Sequence, residues 1–114
     1  MKFIVCGGRD YADRARVNQV LDGVHKKCTI HAIIEGGANG ADRLAREWAL
    51  EKGVQVFTAI ANWKLYGNGA GPKRNAAMLS LEPDGVIAFP GGSGTRDMTR
   101  IAELSDVKVM HILF

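Results

Sequence analysis

Residues 89 to 98, FPGGSGTRDM, close an apolar run at Phe89 and Pro90 and then supply three glycines, two hydroxyls and two charged side chains. Glycine lets a backbone approach a ligand closely, and the N–H groups of a helix's first turn point outward with partial positive charge. Gly91, Gly92, Ser93, Gly94 and Thr95 are therefore candidate ligands for a phosphate. Two further glycine pairs follow short apolar runs: Gly7 and Gly8 in CGGRDY, and Gly36 and Gly37 in EGGANGAD. A single pair is weak evidence, since turns need glycine too. Three pairs on one sheet edge are harder to explain by turns alone. None has the GxGxxG spacing of a dinucleotide site or the GxxxxGKS/T spacing of a phosphate loop.

Charged and aromatic residues stand beside these loops. Arg9 follows the first glycine pair, where its planar fork can hold an anion bidentately or remain solvated. Lys73 and Arg74 open a segment beside Gly71 and Pro72, and proline suits a first helical turn, so both are candidates for anion contact, Arg74 above all. Arg96 can close over a phosphate or project into water. Asp97 can stabilise a helix dipole, orient a ribose hydroxyl, or do acid, base or nucleophile work. Asn39 and Asp42 have the spacing of a capping box, which would occupy both side chains at a helix start. Trp63 and Tyr66 lie in the long connection AIANWKLYGNGAGP, where Trp63 reads as a packing anchor and Tyr66 as an equal candidate for stacking on a base. His25, His31 and His111 read as structural, with no metal set and no Ser-His-Asp or Cys-His arrangement.

Short apolar runs alternate with helical periodicity, and this pattern must position those side chains. Phe3 to Cys6, Ala32 to Ile34, Val54 to Thr58, Val86 to Phe89 and Val107 to Leu113 predict five strands, mostly continuous in apolarity as buried parallel strands are. Val17, Val20, Leu21 and Val24 recur at i, i+3, i+4, i+7, and Ala41, Leu44, Ala45, Trp48 and Ala49 follow the same rule. A third helix is expected over Pro72 to Leu81 and a fourth after Thr95, with Met98, Ile101, Ala102 and Ser105 on one face. The expectation is one α/β domain over residues 1–114: a Rossmann-like, open, mostly parallel five-stranded sheet flanked by about four helices. Ligands of such sheets bind beyond the carboxyl ends of the strands.

Composition narrows the function classes. The chain has 114 residues, 46% hydrophobic and 24% charged, which suits one globular domain. Fifteen Lys and Arg against twelve Asp and Glu give a net charge of +3, compatible with an anionic ligand but without a basic run of the nucleic-acid-tail kind. Cys6 and Cys28 make no disulfide framework and read as reduced core or core-edge thiols. The opening MKFIVCGGRDY has a four-residue apolar run ending before Gly7, far short of a signal peptide core or a membrane span. A cytoplasmic protein with no membrane partner is expected.

In order and spacing, CGGRDY, EGGANGADRLAREWA, NWKLYGNGAGPKRNAAML and FPGGSGTRDM resemble the YspA-like branch of the SLOG superfamily, over nearly the whole chain. Relatives in that superfamily include the Lonely Guy phosphoribohydrolases, the DprA proteins, which bind single-stranded DNA, and sensor domains for NAD-derived signalling nucleotides. The resemblance implies a nucleotide-like ligand, with phosphate on Gly91 to Thr95 and Arg74 and the sugar near Asp42, whose loop faces the same cleft in that branch. It also implies a homo-oligomer, with no cofactor. The phosphoribohydrolase motif PGGxGTxxE is matched at Pro90, Gly91, Gly92, Gly94 and Thr95, but its Glu position holds Met98. The enzymes' RKAEM helix motif is matched by RNAAM, Arg74 to Met78. Three readings follow: binding of a nucleotide or an NAD- or ADP-ribose-type signal; hydrolysis of a nucleoside 5′-monophosphate at its N-glycosidic bond, with Arg74 and Asp97 as the catalytic candidates; and, weakest, single-stranded DNA binding.

Overall fold

The computed structural model describes residues 1–114. The strands are β1 (Lys2–Cys6), β2 (Ala32–Glu35), β3 (Gln55–Thr58), β4 (Gly85–Ala88) and β5 (Val109–His111). Four helices of ten residues or more accompany them: α1 (Arg14–Lys27), α2 (Ala41–Lys52), α4 (Ala70–Leu79) and α5 (Ser93–Leu104). A one-turn helix, α3 (Trp63–Tyr66), and a 3-10 turn over Gly67–Gly69 lead into α4.

All neighbouring strands pair in parallel, in the order β3-β2-β1-β4-β5. The chain lays β2 and β3 outward on one side of β1 and then returns to place β4 on the other. Loops leaving β1 and β4 consequently diverge to opposite faces, and this switch point opens a crevice beyond the strands' carboxyl ends.

Alternation along the central strands divides the core in two. Val5, Ile33, Ile87 and Phe89 face α1 and α2, where Val17, Leu21, Val24, Leu44, Ala45 and Trp48 complete one apolar layer. Ile4, Cys6, Ile34, Val86 and Ala88 face the other side, against Met78 of α4 and Met98 and Ala102 of α5. A fully buried Ile or Leu contributes about 1.5–3 kcal/mol relative to exposure. No helix is long and apolar enough to cross a membrane.

Several expected boundaries shift. The third helix starts at Ala70 and ends at Leu79 instead of running from Pro72 to Leu81, and α5 starts at Ser93 rather than after Thr95. The supposed long loop before α4 is largely helical, because the Asn62 side chain accepts from the Leu65 N–H at 3.1 Å and starts a turn that apolar periodicity does not mark. β5 is limited to Val109–His111, and Gln55, Phe57 and Thr58 of β3 are exposed. Both are edge strands, so their apolar residues are not enclosed on two faces as the central strands are.

Candidate functional site

A cleft of about 920 Å³ occupies the switch point. Its walls come from the loop after β1, the loop after β4 with the first turn of α5, the start of α4, the β2–α2 connection with Asp42, and the segment before α4 that carries Trp63 and Asn68. Gly8 ties the β1 loop to the β4 loop and to the start of α2, its N–H donating to Pro90 O at 2.8 Å and its carbonyl accepting from the Ala41 and Tyr11 N–H groups, each at 3.2 Å.

The glycines fall into two groups. A Cβ on Gly7 would lie 2.6 Å from the Ala41 Cβ and 2.9 Å from the Phe89 Cβ. One on Gly91 would lie 2.7 Å from Gly8 N and would strike the Thr95 hydroxyl, and one on Gly40, at φ +74°, would strike the Gly8 carbonyl. These glycines let loops pack against loops. At Gly92 and Gly94 a Cβ would meet nothing within 4 Å, although both line the cleft. Gly92 has φ −101°, outside the left-handed region that favours glycine, so what it leaves is space.

That space lies at the amino end of α5. Gly92 is the N-cap and brings no side-chain acceptor to the first turn, so the N–H groups there have no side-chain partner. A twelve-residue helix with an uncapped, exposed start favours an anion by about 0.3–1 kcal/mol from its dipole alone, with direct N–H hydrogen bonds adding to this. Ser93, Gly94 and Thr95 line the cleft at this point.

Arg74 also lines the cleft and is clamped on two sides. Its Nη1 donates to Gly36 O at 2.8 Å and its Nε to Asn75 Oδ1 at 3.0 Å. One Nη1 hydrogen and both Nη2 hydrogens remain for a ligand. Gly36 is buried and does not line the cleft; its absent side chain makes room for the guanidinium, since a Cβ would lie 2.7 Å from Arg74 Cζ. Gly37 is likewise outside the cavity wall, its N–H donating to Glu35 Oε1 at 2.8 Å.

The expected capping box at Asn39 and Asp42 does not form. α2 starts one residue too late for Asn39 to cap it; Gly40 is the N-cap, with no side-chain bond. The Asp42 carboxylate instead turns back into its own loop, where Oδ2 accepts from the Gly36 N–H at 3.1 Å and the Ala38 N–H at 3.3 Å. It lines the cleft and is only 5% exposed. Burial pushes its pKa up to about 6 and the nearby Glu35 carboxylate adds to the rise, while the two N–H groups and Arg74 oppose it. Cys6, on the cleft floor, sits in the same field: burial first, then Asp42, push its thiol up to about 12 against the pull of Arg74. That thiol is neutral and unreactive at physiological pH.

Asp97 lines the cleft as well, with Oδ2 accepting from Asn75 Nδ2 at 3.0 Å and Oδ1 from Arg100 at 2.9 Å. Met98, one residue on, is fully buried in the layer with Ile4 and Met78 and does not line the cleft. Arg9 lines the rim, with its guanidinium 6.0 Å from the centroid of Trp63, which also lines the cleft and is about half exposed. Tyr66 and Lys73 stand outside the cavity wall and meet each other, the ammonium 4.7 Å from the ring centroid. Arg96 is exposed and also lies outside it. No group of three or more His, Cys, Asp or Glu is arranged to hold a metal.

Two buried polar residues escaped the sequence reading. Asn75, 2% exposed, lines the cleft inside the RNAAM motif, where a polar residue facing a helix partner was the available signal. Glu35, fully buried, accepts from the Gly37 N–H, from Arg46 Nη1 at 3.0 Å and from the Thr58 hydroxyl, and so braces the loop carrying Asp42. Two of its three partners, Arg46 and Thr58, are 11 and 23 residues away in sequence, a distance that no local pattern spans.

A family model described as "YspA, cpYpsA-related SLOG family" matches residues 1–66. The Gene 61 protein of Mycobacterium phage D29 is 32% identical over 118 residues, an alignment covering 96% of this chain and 94% of that protein. Among solved structures, the DNA processing protein A (DprA) of Streptococcus pneumoniae superposes with a TM-score of 0.79 at 20% identity. That likeness covers 99% of this chain, which spans 50% of the DprA chain, and at such identity it is a likeness of fold.

Proposed function

Since the chain belongs to the YspA, cpYpsA-related SLOG family, we propose that its switch-point cleft binds a nucleotide or a nucleotide-derived signal, including ligands of the NAD or ADP-ribose type. The phosphate sits on the uncapped first turn of α5, between Gly91 and Thr95, and against the free edge of Arg74. The sugar lies toward Asp42. The observation that carries this reading is that the helix start and Arg74 line one cleft, with Gly92 and Gly94 leaving room at the helix end. Arg9 and Trp63 at the rim offer a cation and a ring face for the rest of the ligand. Calorimetric titration with a panel of nucleoside mono- and diphosphates and ADP-ribose tests it. Arg74→Ala should weaken binding by about 1.5–3 kcal/mol, and Arg74→Lys should recover only part of that because the planar fork is lost. Equal affinities for the wild type and both variants would remove Arg74 from the site.

Hydrolysis of a base–ribose bond stays as a second reading because of Asp42, whose raised pKa suits proton transfer near neutrality. The position of the Glu in the phosphoribohydrolase motif does not support that reading, since Met98 stands there and is enclosed in the core. Chromatography of nucleoside monophosphates incubated with the protein separates the two: free base marks turnover, and binding without free base marks a receptor. A single-stranded oligonucleotide titrated at two salt concentrations covers the DNA reading, since released counterions would make its affinity fall steeply with salt.

A further inference from the structure

The hydrogen bonds of Asn75 leave its amide a single orientation. Its Oδ1 meets Arg74 Nε, which can only donate, and its Nδ2 meets the Gly94 carbonyl at 3.1 Å, which can only accept. The second Nδ2 hydrogen points to Asp97 Oδ2 at 3.0 Å, so that oxygen has to accept as well. One amide, 2% exposed, thus touches the candidate anion clamp, the first turn of α5 and the cleft carboxylate.

We infer that Asn75 is the positioning residue of this cleft, holding Arg74 and Asp97 in register with the start of α5. The inference deepens the nucleotide reading and rests on it. Arg74 is held through two of its five N–H groups and meets the phosphate with a preset fork. Asp97 is held as a hydrogen-bond acceptor, suited to a sugar hydroxyl and unsuited to giving a proton through Oδ2. No other side chain of this size does both: Asp offers no donor, and Leu neither donor nor acceptor.

The ligand-free protein supplies the first test. In nitrogen–proton correlation spectra the Arg74 Nε–H should exchange slowly in the wild type and about tenfold or more faster in Asn75→Ala, matching the loss of a charge-assisted bond. Asn75→Asp keeps the acceptor for Arg74 and removes the donor for Asp97. There the Nε–H stays protected, while the affinity for 5′-AMP relative to inorganic phosphate falls about tenfold; the ratio cancels the added charge that weakens both anions. Phosphate affinity in Asn75→Ala should fall toward that of Arg74→Ala, which keeps no cation at that position, and the double variant should be no weaker than Arg74→Ala.

A residue that only joins α4 to α5 would lower the melting temperature and leave these readings unchanged. An Arg74 Nε–H equally protected in folded Asn75→Ala overturns the inference. So does an unchanged affinity ratio in Asn75→Asp, or, if Asn75→Ala does not fold, an Nε–H unprotected in Asn75→Asp. A wild type that binds neither 5′-AMP nor phosphate defeats the nucleotide reading alone, and the Arg74 resonance then decides the role of Asn75 by itself.

Discussion

Asp42 carries a cost that depends on pH. Its carboxyl is neutral below about pH 6 in the folded chain, whereas an ordinary aspartate loses its proton near 3.8. The stability this preference contributes is fully present below about pH 4 and is lost as the pH rises through 6, by up to about 3 kcal/mol. Asp42→Asn keeps an oxygen for the Gly36 and Ala38 N–H groups and removes the charge. Urea unfolding of the ligand-free variant should therefore be flatter between pH 4 and 8 and show higher stability at pH 8. A variant that tracks the wild-type profile would show that the carboxyl does not titrate there. The glycines make a second residue-scale prediction. Gly92→Val should retain native circular dichroism and, on the proposed reading, lose the ligand, because its side chain enters the open space that the proposal gives to the phosphate. Gly91→Val should lose the fold, because its Cβ strikes the backbone of the β1 loop. Unchanged nucleotide affinity in folded Gly92→Val would take the phosphate away from this loop.

Helix α5 has two ends of its face to reconcile: Asp97 at the cleft and Met98 in the core, one residue and about 100° apart. The Glu of the phosphoribohydrolase motif would sit where Met98 packs. Met98→Glu would bury a carboxylate at a fully enclosed position without a partner, at a cost of several kcal/mol, and is expected to unfold in much lower urea than the wild type. A well-folded Met98→Glu protein with near-native stability would mean that α5 can rotate and open this position to the cleft. The same geometry divides RNAAM: α4 presents Arg74 and Asn75 to the cleft while Met78, three residues after Asn75, packs beneath it in the core.

At the level of the whole molecule, the cleft is open, and large apolar side chains are exposed outside its wall. Ile60 is 80% and Leu65 66% exposed on the connection that brings Trp63 to the rim, and Phe57 is exposed on the neighbouring edge strand β3. Edge strands with apolar surroundings invite a partner, and a shallow cleft gains a wall from a second copy. We expect self-association, with light scattering giving a multiple of 12.3 kDa at micromolar concentration. A mass near 12.3 kDa at every concentration would mean that the cleft works with the walls of one chain.

Much of the architecture was legible because it rests on local pattern. Continuous apolar runs marked β1, β2 and β4, helical spacing marked the buried faces of α1 and α2, and two of the three glycine pairs at strand ends, Gly7–Gly8 and Gly91–Gly92, line the cleft. The resemblance to the SLOG family rested on the same ordered motifs. What the sequence could not decide were contacts between residues far apart along the chain. Composition cannot separate Gly91, needed where two loops touch, from Gly92, which leaves space, because both are simply glycine until the β1 loop is laid beside the β4 loop. The spacing of Asn39 and Asp42 satisfied a capping rule, yet the positive φ of Gly40 turned the carboxylate inward to Gly36 and Ala38. Asn75 and Asp97 are 22 residues apart and meet only because α4 packs against α5 on one face of the sheet. Local periodicity determines which face of a helix is buried, and only the packing of one helix on another determines which polar side chains on its margin find each other.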